Sequence, residues 1–141
     1  MAAEERTYKT LEDALPEAEQ VRRLNLSKRT LPAVPAELAH FPNLYHLNLS
    51  HNQIADLPSF LFTLTQLEEA LLQNNQLTHL PAEISQLTHL RELYLGDNQL
   101  QTLPDLSALQ NLEILILRGN PLPQAELDRV RASLPQAIIS L

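Results

Sequence analysis

Histidine side chains are the first candidates for chemistry, because five of them could ligate a metal ion. His46 and His51 are five residues apart, so an extended backbone separates them by up to about 16 Å. Metal–nitrogen bonds are only about 2 Å long. His79 and His89 fall where we expect solvated surface. The spacing therefore predicts no metal site.

Hydrolysis would need a nucleophile, a base and a group that stabilises an oxyanion. Ser27 or Ser50 could combine with His46 or His51. However, neighbours on a strand point to opposite faces, and the sequence shows neither a strained nucleophile turn nor a nearby glycine for an oxyanion hole. We expect no catalytic residue and no enzyme activity.

Neighbouring carboxylates are a third possible source of chemistry. Glu68 and Glu69 are adjacent and point to opposite sides of a regular strand. Glu69 and Glu92 occupy equivalent places in two similar segments, about 4.8 Å apart if their strands pair. Repulsion between like charges could then raise a pKa. The favoured interpretation is two solvated acids at the rim of a surface.

The composition of this 141-residue chain excludes several classes of function. Without cysteine there is no disulfide or thiolate zinc site, and two glycines cannot build a phosphate loop, so we expect no cofactor. A formal charge of −7 argues against a nucleic-acid partner. No apolar run is long enough to span a membrane. The acidic start lacks the apolar region of a secretory signal, so we expect a cytoplasmic protein.

A repeat positions the remaining residues, and 32 leucines carry it. Its segments are spaced by 23, 23, 23 and 22 residues, and the third reads LEEALLQNNQLTHLPAEISQLTH. The shared frame is L-x-x-L-x-L-x-x-N-x-L-x-x-L-P. The segments begin at Val21, Leu44, Leu67, Leu90 and Leu112.

This frame resembles the leucine-rich repeat family over about residues 21–122. The resemblance implies an α/β fold, a short right-handed horseshoe with about five parallel strands on its concave face. The L-P-x-x-I/L run resembles the intracellular Ras-group class of repeats, and both ends resemble those of small stand-alone bacterial members. Proline disfavours a continued strand, and apolar residues spaced by three predict a helical or 3₁₀ return on the convex side.

One asparagine recurs at the turn after each of the last four strands. Its amide donates and accepts hydrogen bonds, so a stack of such side chains can satisfy buried turn backbone. Arg29 replaces it in the first repeat, where we expect the N-terminal cap to compensate. The predicted ladder consists of Asn52, Asn75, Asn98 and Asn120.

A stack of repeats needs caps at both ends. We predict one domain in three parts: a tail and helical cap over 1–20, five repeats over 21–122, and a helical cap over 123–141. Thr10-x-x-Asp13 has the spacing of a helix-capping box. The repeat that begins at Leu90 is one residue short, so its convex turn should be tighter. With both caps, the sequence favours a complete small solenoid.

Outward strand positions should carry the function. Leu71, Tyr94 and Ile116 would place apolar side chains on the concave face of three consecutive repeats, with Ile114 beside them. An exposed apolar patch often marks a contact site. Alternatively, the C-terminal segment covers Ile114 and Ile116. The predicted binding residues are His46, Asn48, Glu69, Leu71, Glu92, Tyr94, Asp97, Ile116 and Arg118.

The family resemblance implies a non-catalytic protein-interaction module that binds an unidentified protein or peptide. We expect a monomer or weak homodimer without nucleic-acid or membrane partners. The alternative is a structural protein that self-associates through its concave face or a sheet edge. A hydrolase is the third possibility.

Overall fold

The computed structural model describes residues 6–141 as one open sheet of seven parallel strands in sequence order. Residues 1–5, where the predicted N-terminal tail begins, lie outside this range. The predicted solenoid is confirmed, but about five strands was too few because one more pairs at each end. The strands are β1 (Thr7–Tyr8), β2 (Arg23–Asn25), β3 (His46–Asn48), β4 (Glu69–Leu71), β5 (Glu92–Tyr94), β6 (Ile114–Ile116) and β7 (Ile138–Ser140).

Equivalent residues of the repeats lie side by side across the sheet. Arg23 pairs with His46, His46 with Glu69, Glu69 with Glu92, and Glu92 with Ile114. In β2 to β6 the middle residue is buried and its two neighbours are half-buried. The constant period therefore fixes which side chains the concave face presents.

The core is a single stack of apolar side chains, mostly aliphatic, between the sheet and the convex side. Each repeat contributes several residues that lose almost all contact with water, at about 1.5–3 kcal/mol per side chain before entropy is charged. Neighbouring repeats cover one another, so the stack is stable only as a whole. The leucines in the middle of β2, β3, β5 and β6 are Leu24, Leu47, Leu93 and Leu115.

Short 3₁₀ helices form the convex side, as the apolar spacing predicts. They run over Ala36–His40, Ser59–Thr63 and Ala82–Gln86, each directly after a proline. The shortened repeat has turns and no helix between Pro104 and Leu112.

The N-terminal cap combines a short helix with a strand that the sequence did not reveal. Helix α1 (Leu11–Ala14) begins after Thr10, whose hydroxyl accepts from the backbone N–H of Asp13 at 3.1 Å. A 3₁₀ segment, Leu15–Gln20, follows. Tyr8 of β1 is buried, and its hydroxyl donates to the carboxylate of Glu17. This bond and burial raise the pKa of Tyr8.

The C-terminal cap is helix α2 (Gln124–Ser133) followed by β7. The carboxylate of Glu126 accepts from the backbone N–H of Leu103 at 3.1 Å and from Arg129 at 2.6 Å. Arg129 also donates to the Leu103 carbonyl, so α2 is anchored to the preceding repeat. Ile138 pairs with Ile114, so β7 lies beside β6 and extends the sheet. The alternative prediction, in which this segment covers Ile114 and Ile116, is therefore wrong.

Candidate binding surface

Four asparagines bond neighbouring turns together behind the concave face. The amide nitrogen of Asn98 donates to the carbonyls of Leu72 and Leu95, both at 3.0 Å, and its oxygen accepts from Leu77 N–H at 3.0 Å. Asn52, Asn75 and Asn120 make equivalent bonds. These bonds satisfy buried backbone groups, which would otherwise destabilise the stack.

Arg29 takes the place of the missing asparagine in the first repeat. Its guanidinium donates to the carbonyls of Ser27 at 3.0 Å and Lys9 at 2.9 Å. Its backbone N–H donates to the Asn52 side chain at 3.0 Å. In the first repeat, the guanidinium of Arg29 therefore compensates for the missing asparagine by bonding to backbone carbonyls, one of which belongs to the N-terminal cap.

The chain turns out of each strand through a left-handed residue. Gly119 has a φ of +84°, and a Cβ there would lie 2.2 Å from an oxygen of the Asp97 side chain. Glycine is the residue that this conformation favours most. The turn fixes where side chains at the rim of the sheet point. The equivalent residues of the other repeats, with φ between 54° and 58°, are Lys28, His51, Asn74 and Asp97.

Three apolar side chains lie next to one another on the concave face, and we call them the apolar column: Leu71, Tyr94 and Ile116. The sheet register pairs Leu71 with Tyr94 and Tyr94 with Ile116. Each is half-buried, so part of its surface remains available for contact. The face is therefore apolar over three strands in its C-terminal half.

An open depression of about 510 Å³ lies at the C-terminal half of the column. Asp97 and Arg118 carry opposite charges at its rim, and both side chains are exposed. The buried side-chain oxygen of Gln73 has no hydrogen-bond donor. The depression therefore combines the apolar side chains of Tyr94 and Ile116 with one exposed charge of each sign at its rim. Its lining residues are Gln73, Tyr94, Gly96, Asp97, Ile116, Arg118 and Ser140.

Two carboxylates stand beside the apolar column. The Tyr94 hydroxyl donates to Glu92 at 2.7 Å, and this bond raises the pKa of Tyr94 to about 12. Burial and the charges of Glu92 and Glu69 act in the same direction. On the next strand, an oxygen of Glu69 lies 2.6 Å from Nδ1 of His46. Each acid is thus held by a different neighbour.

Comparisons with known proteins agree with this geometry. A leucine-rich repeat family model matches residues 65–122, and a second model of the same repeat matches residues 43–64. Together the matches run without a gap over more than half of the chain. The chain belongs to the leucine-rich repeat family. Proteins of this family commonly serve in protein–protein interaction.

Solved leucine-rich repeat structures cover most of this chain. One, from Leptospira interrogans, is 38% identical with a TM-score of 0.75, over 87% of this chain and 30% of that one. Internalin C2 from Listeria monocytogenes is 28% identical with a TM-score of 0.76, over 86% and 52%. The BIR2 ectodomain from Arabidopsis thaliana is 30% identical with a TM-score of 0.66, over 72% and 56%. This chain thus spans between 30% and 56% of their lengths. Curated protein sequences give no match.

The leucine-rich repeat geometry brings most of the nominated binding residues together. Glu69, Leu71, Glu92, Tyr94 and Ile116 lie on three adjacent strands. Asp97 and Arg118 follow those strands and share a backbone bond of 2.8 Å. The other two nominated residues, His46 and Asn48, lie on the adjacent strand β3, where they pair with Glu69 and Leu71.

Two of the residues considered for hydrolysis are bonded to other side chains. Ser50 is buried, and its hydroxyl donates to the Asn48 side chain at 2.6 Å. His46 is held by Glu69, and His51 has left-handed backbone. Residues 6–141 contain no group of three or more side chains that could hold a metal ion. Nor does any helix in that range have the length and apolarity to cross a membrane.

Sequence reasoning missed residues at the C-terminal edge of this face. Ile138 continues the row of Glu92 and Ile114 and is 72% exposed. Ser140 and Gln73 line the depression. The apolar run at the end of the chain predicts a strand, but its register with β6 carries no sequence signal.

Proposed function

We propose that this chain is a non-catalytic binding module that holds a segment of a partner protein on its concave face, over the apolar column. The observation that carries the proposal is the register that places Leu71, Tyr94 and Ile116 side by side and half-exposed. Parallel sheets usually have both faces covered. An uncovered apolar strip on such a face therefore favours docking.

The type of side chain at the centre of the column supports the same proposal. Tyrosine is enriched among the residues that contribute most to binding energy. Tyr94 lies between Leu71 and Ile116, and its hydroxyl is already bonded to Glu92. A partner therefore meets an anchor whose orientation is fixed before binding.

The size of the face limits what can bind. Seven strands spaced by about 4.8 Å form a wall about 30 Å wide, and three residues per strand make it about 10 Å high. Such an area falls below the roughly 800 Å² per side of a standard interface. The partner thus docks a short segment, or it also contacts the loops that carry Asp97 and Arg118.

Affinity capture with matched variants tests the proposal. The immobilised chain is exposed to native cell lysate, and bound proteins are quantified for wild type, Tyr94→Ala and Leu71→Asp. Gln86→Asp, on the exposed convex side, is the control. Circular dichroism verifies that each variant is folded. We expect capture to be lost in both concave variants and kept in the control; unchanged capture by both would refute the concave site.

Self-association is a second candidate, favoured by the exposure of Ile138 on the edge strand β7. Edge strands offer unpaired backbone groups to another chain. Light scattering across a range of concentrations tests it: a dimer that Ile138→Lys dissociates supports this candidate, and a constant monomer mass excludes it.

The cytoplasmic location expected from the sequence stays a prediction.

A further inference from the structure

We infer that the partner segment presents an arginine or lysine to Glu92 and an apolar side chain to Tyr94 and Ile116, two residues away along the segment. This inference rests on the proposed function and specifies the chemistry of the partner. It follows from the carboxylate of Glu92, which forms no ion pair within the described residues, and from the spacing of side chains along β5.

Glu92 differs from the other half-buried acids of residues 6–141. Four acidic side chains in that range are half-buried. Two of them have a cationic neighbour: Glu68 has Arg91 at 3.5 Å, and Glu126 has Arg129 at 2.6 Å. Glu69 has the imidazole of His46 at 2.6 Å. Within the described residues, the fourth, Glu92, forms no ion pair.

The carboxylate of Glu92 has room for a cation. It accepts one hydrogen bond from a side chain, that of the Tyr94 hydroxyl. An ionised carboxylate has about four acceptor sites, and it binds an arginine guanidinium through two parallel bonds. A half-buried carboxylate is also screened less by water and salt than an exposed one. The carboxylate of Glu92 therefore has free acceptor sites that a cationic side chain of a partner can bind.

No cation of residues 6–141 forms an ion pair with Glu92, and Arg91, its neighbour in the chain, pairs with Glu68 and Glu113 instead. Arg23 donates to the Thr7 hydroxyl at 3.1 Å and to the Tyr45 hydroxyl at 3.2 Å. Arg118, at the rim of the depression, forms no ion pair with any acid of residues 6–141. Glu69, one strand away, adds a second negative group on the same row. The net charge of −7 favours the approach of a basic segment over longer distances.

Strand geometry sets the spacing of the partner's side chains. Glu92 and Tyr94 are two residues apart on β5, so they point to the same face about 7 Å apart. Alternate side chains of an extended peptide have the same separation. A cation over Glu92 therefore places the side chain two residues away over Tyr94 and Ile116. The sequence recognised is basic–any–apolar, or its reverse.

Selection of random peptides tests this inference directly. A phage-displayed library of random 12-residue peptides is selected on the immobilised chain, and the enriched peptides are sequenced. We expect enrichment of Arg or Lys two positions from Leu, Ile, Phe or Tyr. Synthetic peptides of the enriched sequence are then measured for affinity to wild type, Glu92→Gln, Tyr94→Ala and the exposed convex control Glu83→Gln.

The variants separate this inference from the proposed function. Charge-assisted hydrogen bonds contribute enough that Glu92→Gln should weaken binding about tenfold and remove the preference for a basic residue. Glu83→Gln should leave the affinity unchanged. Peptides that need Tyr94 but show no basic preference would overturn the inference and leave the proposed function standing. Peptides that tolerate Tyr94→Ala would overturn both.

A second copy of the chain could supply the cation instead. Sedimentation equilibrium without peptide tests that source. A monomer supports a separate partner. A dimer that Glu92→Gln dissociates would overturn the inference, because the cation would then come from another copy.

Discussion

The Tyr94 hydroxyl donates a 2.7 Å hydrogen bond to the Glu92 carboxylate, two residues earlier on β5. This bond ties the apolar column to the carboxylate beside it. Both side chains are thereby ordered before a partner binds, which lowers the entropy that binding must overcome. The pair is the centre of the proposed site.

Ionisation of Tyr94 should report this bond. Because Glu92 stabilises the neutral phenol, the pKa of Tyr94 is raised from 10.0 to about 12. Absorbance of tyrosinate is followed against pH as the difference between wild type and Tyr94→Phe. We expect Glu92→Gln to move that titration down toward pH 10. An identical titration in Glu92→Gln would show that the bond does not form in solution.

Removal of a ladder asparagine should strongly destabilise the protein. In Asn98→Ala the Leu77 N–H loses its acceptor. The carbonyls of Leu72 and Leu95 each lose one of two donors and keep the other, Asn75 and Asn120 respectively. An unsatisfied buried group costs about 1–3 kcal/mol, so we expect the free energy of unfolding in urea to fall by about 3 kcal/mol.

The control for the ladder is Asn111→Ala. Asn111 donates one exposed bond, to the Thr88 carbonyl at 2.9 Å. We expect this variant to lose less than about 1 kcal/mol, the net value of one ordinary hydrogen bond. Equal losses in Asn98→Ala and Asn111→Ala would contradict the structural role of the ladder.

A side chain at position 119 should strain the last turn. Gly119→Ala places a methyl group against Asp97 in left-handed backbone, which alone costs about 1–2 kcal/mol. We expect urea unfolding to show at least that loss. In the Asp97→Ala background the loss should be smaller, because the clash with the Asp97 carboxylate is removed and only the contact with its backbone nitrogen at 3.0 Å remains. A full loss there would mean that the backbone, and not the Asp97 side chain, sets the cost.

Acid should loosen the C-terminal cap. Its bonds to Arg129 and to the Leu103 backbone hold the pKa of Glu126 below the ordinary 4.5. Their stabilisation is therefore complete above about pH 4.5 and is lost as the pH falls through the lowered value. Thermal melting from pH 6 to pH 3 should show a smaller acid-induced decrease for Glu126→Gln than for wild type or Glu83→Gln. Equal decreases in all three would exclude this contribution.

The period of 23 residues made most of the fold predictable. It places equivalent side chains together, so Leu71 and Tyr94 could be assigned to one row without a structure. Strand β1 was missed because Thr7–Tyr8 belongs to no repeat and pairs only with the edge of β2. The left-handed turn residue did leave a signal, since Asn74, Asp97 and Gly119 are types that favour this conformation.

The candidate site was predictable only as a set of outward positions. Side-chain hydrogen bonds, such as those of His46 with Glu69 and of Tyr94 with Glu92, depend on rotamers that spacing does not specify. Ser50, considered from the sequence as a nucleophile, is buried and donates to the Asn48 side chain, which its position in the repeat does not reveal. That Glu92 forms no ion pair within residues 6–141 likewise depends on side-chain positions, which the spacing of the repeats does not specify.

Methyl resonances give the most direct test of docking on the concave face. The chain is labelled at Leu and Ile methyl groups and titrated with a peptide selected from the random library. We predict shifts for Leu71, Ile114 and Ile116, while Leu15 on the N-terminal cap, itself 37% exposed, stays unchanged. Saturable binding that shifts the methyl resonances of Leu15 but not those of Leu71 and Ile116 would contradict docking on the concave face.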